Sequence, residues 1–275
     1  MRRQQQALDA LRGLRGVIPI NLQWTDEVHE REGVETVAAL TQDARRITGL
    51  PARRKPIMPE LFDTLAAVAS ARGARHFGFF NADIVVSQAA IDAVARGGRE
   101  ACAFSRMDID PASGRELGLV LNGLDLFVFS VEFWQRERRR FRPYILGEWF
   151  YDCVFGAVLM CHGDGEIFNR DGEIRHEAHP HAPQGGLSVH NGYLAARDAH
   201  YFSLWVQYRA RLDAARSRGA SAEEERAIQR DTFVLRRSVA SALLQAGRSV
   251  RAYWRYQRER GRIGREAGRH DRGVL

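Results

Sequence analysis

His76-Phe77-Gly78-Phe79-Phe80-Asn81-Ala82-Asp83-Ile84-Val85-Val86-Ser87 is an apolar run broken once by Asn and once by Asp. Phe77, Phe79 and Phe80 favour a strand, and the following Gln88-Ala-Ala-Ile-Asp-Ala-Val-Ala resumes at helical spacing. Asn81 and Asp83 therefore fall where a strand hands over to a helix, the edge at which open α/β sheets keep their ligands. If the chain stays extended there, the two side chains point the same way and can face a divalent cation or a ribose hydroxyl. The competing reading is local: Asp83 caps the next helix and Asn81 closes a turn.

Strand and helix signals continue on both sides of this stretch. Residues 3–13 read as a short helix and 16–23 as a first strand, with Pro19 near an edge or irregularity. Val34, Val37, Ala38, Ala44 and Ile47 keep a mostly i, i+3, i+4 rhythm, which predicts a helix over 32–46. Leu50 to Pro56 is a basic, proline-bounded loop, and Pro59 suits the first turn of a helix running to about Ala71. Downstream, 100–105 reads as a strand, 107–116 as a polar excursion, and 117–121 and 124–129 as strand material split by the turn signal Asn122-Gly123, which fits a hairpin or, equally, a loop that delivers Asp125 beside a site. Residues 131–140 read as a helix, as do 146–156, where Glu148 and Asp152 are four apart and share a face. From 163 to 191 the pattern is irregular and carries His176, His179, His181 and His190. A helix is expected from 192 to about 218. A second long one should start at Ser221-Ala-Glu-Glu224, a capping-box variant, and run toward Arg258, with Phe233, Leu235, Val239, Leu243 and Leu244 on a packed face. The expected architecture is α/β, a Rossmann-like and mostly parallel sheet followed by a helical extension.

Composition narrows the chemistry. The chain has 275 residues, 45% of them apolar, enough to bury a full core. It lacks an 18-residue apolar run and opens on Met-Arg-Arg-Gln-Gln-Gln, so a soluble cytoplasmic protein is expected. Net charge is +7, and a large share of the arginines lies in 201–275. Such a surface can attract nucleic acid, anionic lipid or an acidic partner. Nucleic acid is the weakest of these, because no RNA-binding signature, zinc-finger spacing or helix-turn-helix accompanies the charge. Cys102, Cys153 and Cys161 have apolar neighbours and no CxxC spacing, which reads as buried thiols. GxGxxG, Walker, GxSxG and HExxH patterns are missing, which leaves dinucleotide, phosphate-loop, serine-hydrolase and zincin chemistry unsupported. Acids and imidazoles gather in three places: Asn81 with Asp83, Glu148 with Asp152, and the histidines around His179. The Glu148 and Asp152 pair also admits glycoside hydrolysis, which uses two carboxyl groups.

Four segments carry a family resemblance: Arg54-Lys-Pro-Ile-Met-Pro-Glu-Leu-Phe-Asp63, Phe79-Phe-Asn-Ala-Asp-Ile-Val-Val86, Gly123-Leu-Asp-Leu-Phe-Val-Phe129 and Gly147-Glu-Trp-Phe-Tyr-Asp152. Together, over roughly 17–190, they resemble bacterial GT-A-type glycosyltransferases. The resemblance implies a nucleotide-sugar-binding catalytic domain over 1–191 and a basic helical extension over 192–275. It implies that Asp83 holds the last position of a metal-binding DxD motif, with Asn81 replacing the first acid, and that His179 reaches the metal or diphosphate. The cation would be Mn²⁺ or Mg²⁺. Arg54 and Lys55, with Asn81 and Asp83, would contact the donor, while Asp125 and Asp152 would orient and deprotonate the acceptor hydroxyl. The implied partners are a nucleotide-sugar donor and a carbohydrate or glycolipid acceptor, as in surface polysaccharide assembly, placing the protein in the cytoplasm or at the inner face of the membrane. Tyr253, Trp254 and Tyr256 interleave with arginines, which suits peripheral membrane docking, a partner enzyme or self-association. A nucleotidyltransferase and a noncatalytic sugar- or nucleotide-binding or scaffold protein are the alternatives.

Overall fold

The structure, a computed structural model, describes residues 2–50, 52–121, 123–170, 172–179, 186–235 and 239–270. The chain opens with helix α1 (Arg2–Arg12), then strands β1 (Ile20–Trp24) and β2 (Glu35–Leu40), a short α2 (Ala44–Thr48) and α3 (Met58–Ala71). Next come β3 (His76–Phe80), β4 (Ile84–Val86), α4 (Gln88–Gly97), β5 (Ala101–Phe104), β6 (Arg106–Ile109), β7 (Glu116–Val120) and β8 (Leu126–Ser130). Helices α5 (Val131–Glu137) and α6 (Tyr151–His162), strands β9 (Gly165–Phe168) and β10 (Ile174–Glu177), and helices α7 (Ser188–Arg197), α8 (Ala199–Arg216), α9 (Ala222–Thr232) and α10 (Val239–His270) complete it.

The fold is α/β, but its sheets are mixed, which corrects the expectation of a mostly parallel sheet. One sheet has the order β3-β8-β5-β9, a second β4-β10-β6-β7, and β1 pairs with β2. Among the described residues the β1/β2, β5/β9 and β6/β10 pairs are parallel, and the other four are antiparallel. The reason lies in the connections. β6 and β7 form a hairpin, which needs no crossover helix, and the chain then enters β8 running against both β3 and β5.

Several boundaries also move. The expected helix over 32–46 is instead β2 and α2. Leu22 sits opposite Val37 in the parallel pairing, and Asp43 caps α2 by accepting from the Arg45 amide. The polar excursion at 107–116 is largely the β6–β7 hairpin, and the irregular 163–191 region contains β9 and β10. β7 and β8 lie in different sheets, so Asn122-Gly123 does not close a hairpin; Asn122 lies outside the described residues, as do Pro180, His181, Arg236, Arg237 and Arg272. The second long helix is two helices, α9 and α10, with Phe233 past the end of α9. The capping box at Ser221 and Glu224 is present as expected.

Phe62 of α3 stands at the centre of the core, with its ring centroid 5.3 Å from Phe129 and 5.1 Å from Trp134. Helix α6 is buried along most of its length, and α8 lays Tyr201, Trp205, Tyr208 and Leu212 into the same cluster. Gly156 is required where these helices cross, since a Cβ there would fall 2.5 Å from Leu124 and 3.0 Å from Trp205. The three cysteines are free thiols, two buried and Cys161 half-buried.

Strand register now places one edge of the molecule. Leu126 pairs with both Phe80 and Phe104, and Phe104 pairs with Phe168. The residues just beyond these pairs, Asn81, Asp125, Ser105, Arg106 and Asn169, therefore emerge together.

Candidate functional site

The edge is polar because each strand ends in a residue that the core cannot accept unpaired. Asp125 is buried, and both its oxygens are engaged: Asn81 Nδ2 donates to Oδ1 at 3.0 Å and Arg106 Nη1 to Oδ2 at 3.0 Å. Burial pushes its carboxyl above the usual range, and Arg106 offsets this only in part. Arg106 also donates from Nε to Asp108 Oδ1 at 2.8 Å. The step of two residues in β6 puts both side chains on one face of the strand.

From Asp108 the network passes to the second sheet. His176 of β10 is the register partner of Asp108 on one side and of Ile84 on the other. Its Nδ1 lies 2.9 Å from Asp108 Oδ1, and its Nε2 lies 3.5 Å from Asp83 Oδ2. His179 Nε2 is 3.2 Å from the same Asp83 oxygen. Asp83 is held well below the ordinary carboxylate range, chiefly by hydrogen bonding with His176, against the pull of burial and with help from His179. Burial works against a charged His176, yet Asp83 and Asp108 outweigh it and raise its proton affinity. Asp83 does not cap α4; Ser87 does, accepting from the Ala90 amide at 3.3 Å.

Among the described residues, Asp83, His176 and His179 bring one carboxylate oxygen and two imidazole nitrogens within 4.8 Å of one another. This donor set fits a divalent cation. Asp108 occupies the place of an outer carboxylate that fixes a ligating imidazole, leaving Nε2 directed at the shared centre. Two nitrogen donors suit Mn²⁺ better than Mg²⁺, which prefers oxygen throughout.

Asp152 stands on the first turn of α6 beside this edge. It is half-buried, accepts from the Cys153 amide at 2.9 Å, and its carboxyl is pushed up to about 6, first by burial and then by the charge of Asp125. Gly123 leaves room for it, since a Cβ there would come 2.8 Å from Asp152 Oδ2. The turn that delivers α6 contains Phe150 at φ 83°, the one non-glycine residue with positive φ among those described. A bulky residue in this region costs roughly 1–3 kcal/mol, held in place by its surroundings. Here Asn191 supplies the hold, donating to Ile145 O at 3.0 Å and to Trp149 O at 3.1 Å.

No family model, curated protein or solved structure matches this chain. The site therefore has to be read from its own atoms.

Sequence reasoning brought together Asn81, Asp83, Asp125, Asp152 and His179, and these do gather at or beside one edge. The shared helix face of Glu148 and Asp152 is corrected, because α6 begins at Tyr151 and leaves Glu148 in the preceding turn. There Glu148 pairs with Lys55, the only lysine of the chain, at 2.7 Å and accepts from Ser188 Oγ at 2.7 Å. Arg54 bonds Asp26 at 2.7 Å and stacks over Trp24 at 4.0 Å. His190 lies inside α7, between Tyr256 and the Pro143 carbonyl. His176, Arg106 and Asp108 were missed as site residues. Their alternation, Arg106-x-Asp108 and Ile174-x-His176, was the available signal.

Proposed function

We propose that this chain is a glycosyltransferase of the GT-A type, moving a sugar from a nucleotide-sugar donor to a carbohydrate or glycolipid acceptor. The observation that carries the reading is the pairing at one sheet edge of a carboxylate–imidazole cation site with a separate, proton-seeking carboxyl. Asp83, His176 and His179 would hold Mn²⁺, and Asp152 stands within electrostatic reach of that edge through Asp125. When bound, the cation supplies positive charge to a leaving diphosphate. Asp152 takes the proton of the acceptor hydroxyl as its oxygen bonds to the anomeric carbon and the bond to the diphosphate oxygen breaks. A carboxyl titrating near 6 is ionised at neutral pH yet more basic than an ordinary aspartate, which suits a general base. Asp125, with both oxygens committed, positions Asn81 and Arg106. Arg54 and Lys55 keep their donor role only by exchanging Asp26 and Glu148 for phosphate.

The test is calorimetry of the whole chain with Mn²⁺ and a panel of nucleotide sugars, followed by an assay for released nucleoside diphosphate. The expected result is Mn²⁺-dependent donor binding, lost in Asp83→Ala. Release of pyrophosphate from a nucleoside triphosphate would instead establish the nucleotidyltransferase reading. Mn²⁺ and donor affinities unchanged by Asp83→Ala would remove the proposed site.

A further inference from the structure

Over its described side chains, residues 245–266, helix α10 is docked along one side. At about 100° per residue, Gln245, Ala252, Tyr256, Arg260 and Ile263 share a face. Tyr256 stacks on Tyr193 with ring centroids 5.0 Å apart and bonds to His190, and Gln245 donates to the Arg197 carbonyl. The opposite stripe carries Val250, Arg251, Trp254, Arg258 and Arg265, all exposed. Val250 is 57% exposed and Trp254 61%, with Tyr253 at 43% on the flank.

The charge on this stripe is of one sign. Between 247 and 265 no carboxylate lies on it, and the flanking Glu259 and Glu266 are both engaged by Arg262, at 2.8 and 2.7 Å. Arginines around an exposed tryptophan and valine repel a second copy of the same face. They match a surface that is anionic outside and apolar just beneath. No helix among the described residues is long and apolar enough to cross a membrane, so such a helix would lie in the surface plane.

We propose that the outward face of α10 docks the protein on an anionic lipid surface, with Trp254 and Val250 entering the headgroup boundary and Arg251, Arg258 and Arg265 meeting lipid phosphates. A convex helix face cannot enclose a nucleotide base, which favours lipid over single-stranded nucleic acid. The proposal does not depend on the reaction assigned above.

The test is sedimentation of the full chain with phosphatidylcholine vesicles and with vesicles also containing phosphatidylglycerol, at low and high salt. Binding is expected only to the anionic vesicles and should weaken with salt. Each arginine at such a surface strengthens partitioning by about fivefold, so Arg251→Gln with Arg258→Gln should weaken it about 25-fold. Trp254→Ser should weaken binding at both salt concentrations, since its contribution is apolar. All three positions are exposed, and circular dichroism confirms that the variants fold. Failure to bind anionic vesicles, or binding unaffected by these substitutions, overturns the proposal. So does tighter binding to a short duplex oligonucleotide than to the vesicles.

Discussion

Two acids at the same end of the molecule, one buried and one half-buried, behave in opposite ways. Glu225 on α9 is almost inaccessible, yet its carboxyl is lowered: burial pulls upward, and Arg216 and Arg170 overcome it. Arg216 donates to it at 3.0 and 2.8 Å and Arg170 at 3.0 Å, while Arg216 also reaches the carbonyl of Asn169 at 2.6 Å. Asp152 on α6 is half-buried, and the charge that acts on it is another carboxylate, that of Asp125, so that burial and Asp125 together raise it to about 6. The first acid sits in a closed network in which two guanidinium groups hold one carboxylate. The second has no salt-bridge partner among the described residues. Matched charge ties elements together, here β9, α8 and α9, whereas unmatched charge leaves a group ready to exchange a proton.

The largest effect that separates the two should appear in turnover. Asp152→Asn keeps the shape and one hydrogen bond but cannot accept a proton, so transfer should fall about 10²- to 10⁴-fold. Donor affinity, measured by calorimetry, should stay near that of the parent. Normal transfer would place the base elsewhere on the edge. Arg216→Met should do the reverse. Removing one partner of a buried pair costs about 3 kcal/mol, read as a shift of the urea midpoint, while Mn²⁺ affinity at the edge is unchanged. A loss of Mn²⁺ affinity in that variant would mean that the two regions are coupled.

How much of this was readable in advance depended on whether a signal was local. Pro59 and the Ser221–Glu224 box announced their helices because the residues that start a helix lie within one turn of it, whereas the cap of α4 is Ser87 and not the expected Asp83. The polar end of β3 was likewise visible as Asn81 and Asp83. β2 was not, since Val34, Val37 and Ala38 fit a helical rhythm as well as a strand, and only pairing with β1 decides between them. His176 was harder still. Its alternation with Ile174 marks a strand, but its chemistry comes from Asp108, 68 residues away, and the parallel pairing that joins them leaves no local trace. The sheet's mixed direction escaped for the same reason.

A smaller effect tests the mismatch at Asp152 through stability. Its folded-state value, about 6, lies above the ordinary 3.8 of an unfolded chain, so ionising it costs the folded protein more than the unfolded one. The parent should therefore lose stability as pH rises from about 4 through about 6. Asp152→Asn removes that loss. At pH 8 the variant should be more stable by at most about 3 kcal/mol, and below about pH 4 the two should coincide. Guanidinium melts at the two pH values measure this. A variant less stable than the parent at pH 8 would mean that Asp152 has a buried cationic partner and that the contrast with Glu225 is wrong.

The smallest effect concerns Asp108, which is shared between the two kinds of behaviour. It closes a network, accepting from Arg106 Nε at 2.8 Å, and it also faces His176 Nδ1 at 2.9 Å. If His176 is a cation ligand through Nε2, Asp108 fixes its ring and raises its basicity without touching the ion. Asp108→Asn retains an oxygen that can accept from Nδ1–H but loses the charge. Mn²⁺ affinity should then weaken by about 10- to 100-fold, a loss smaller than the abolition expected for Asp83→Ala. Electron paramagnetic resonance of free Mn²⁺ measures both variants in one titration, and circular dichroism reports whether the β6–β10 pairing survives. If Asp108→Asn binds Mn²⁺ like the parent while His176→Ala does not, the imidazole is held by strand pairing alone. If neither variant alters binding, His176 belongs to the closed network, and the cation would be held without it.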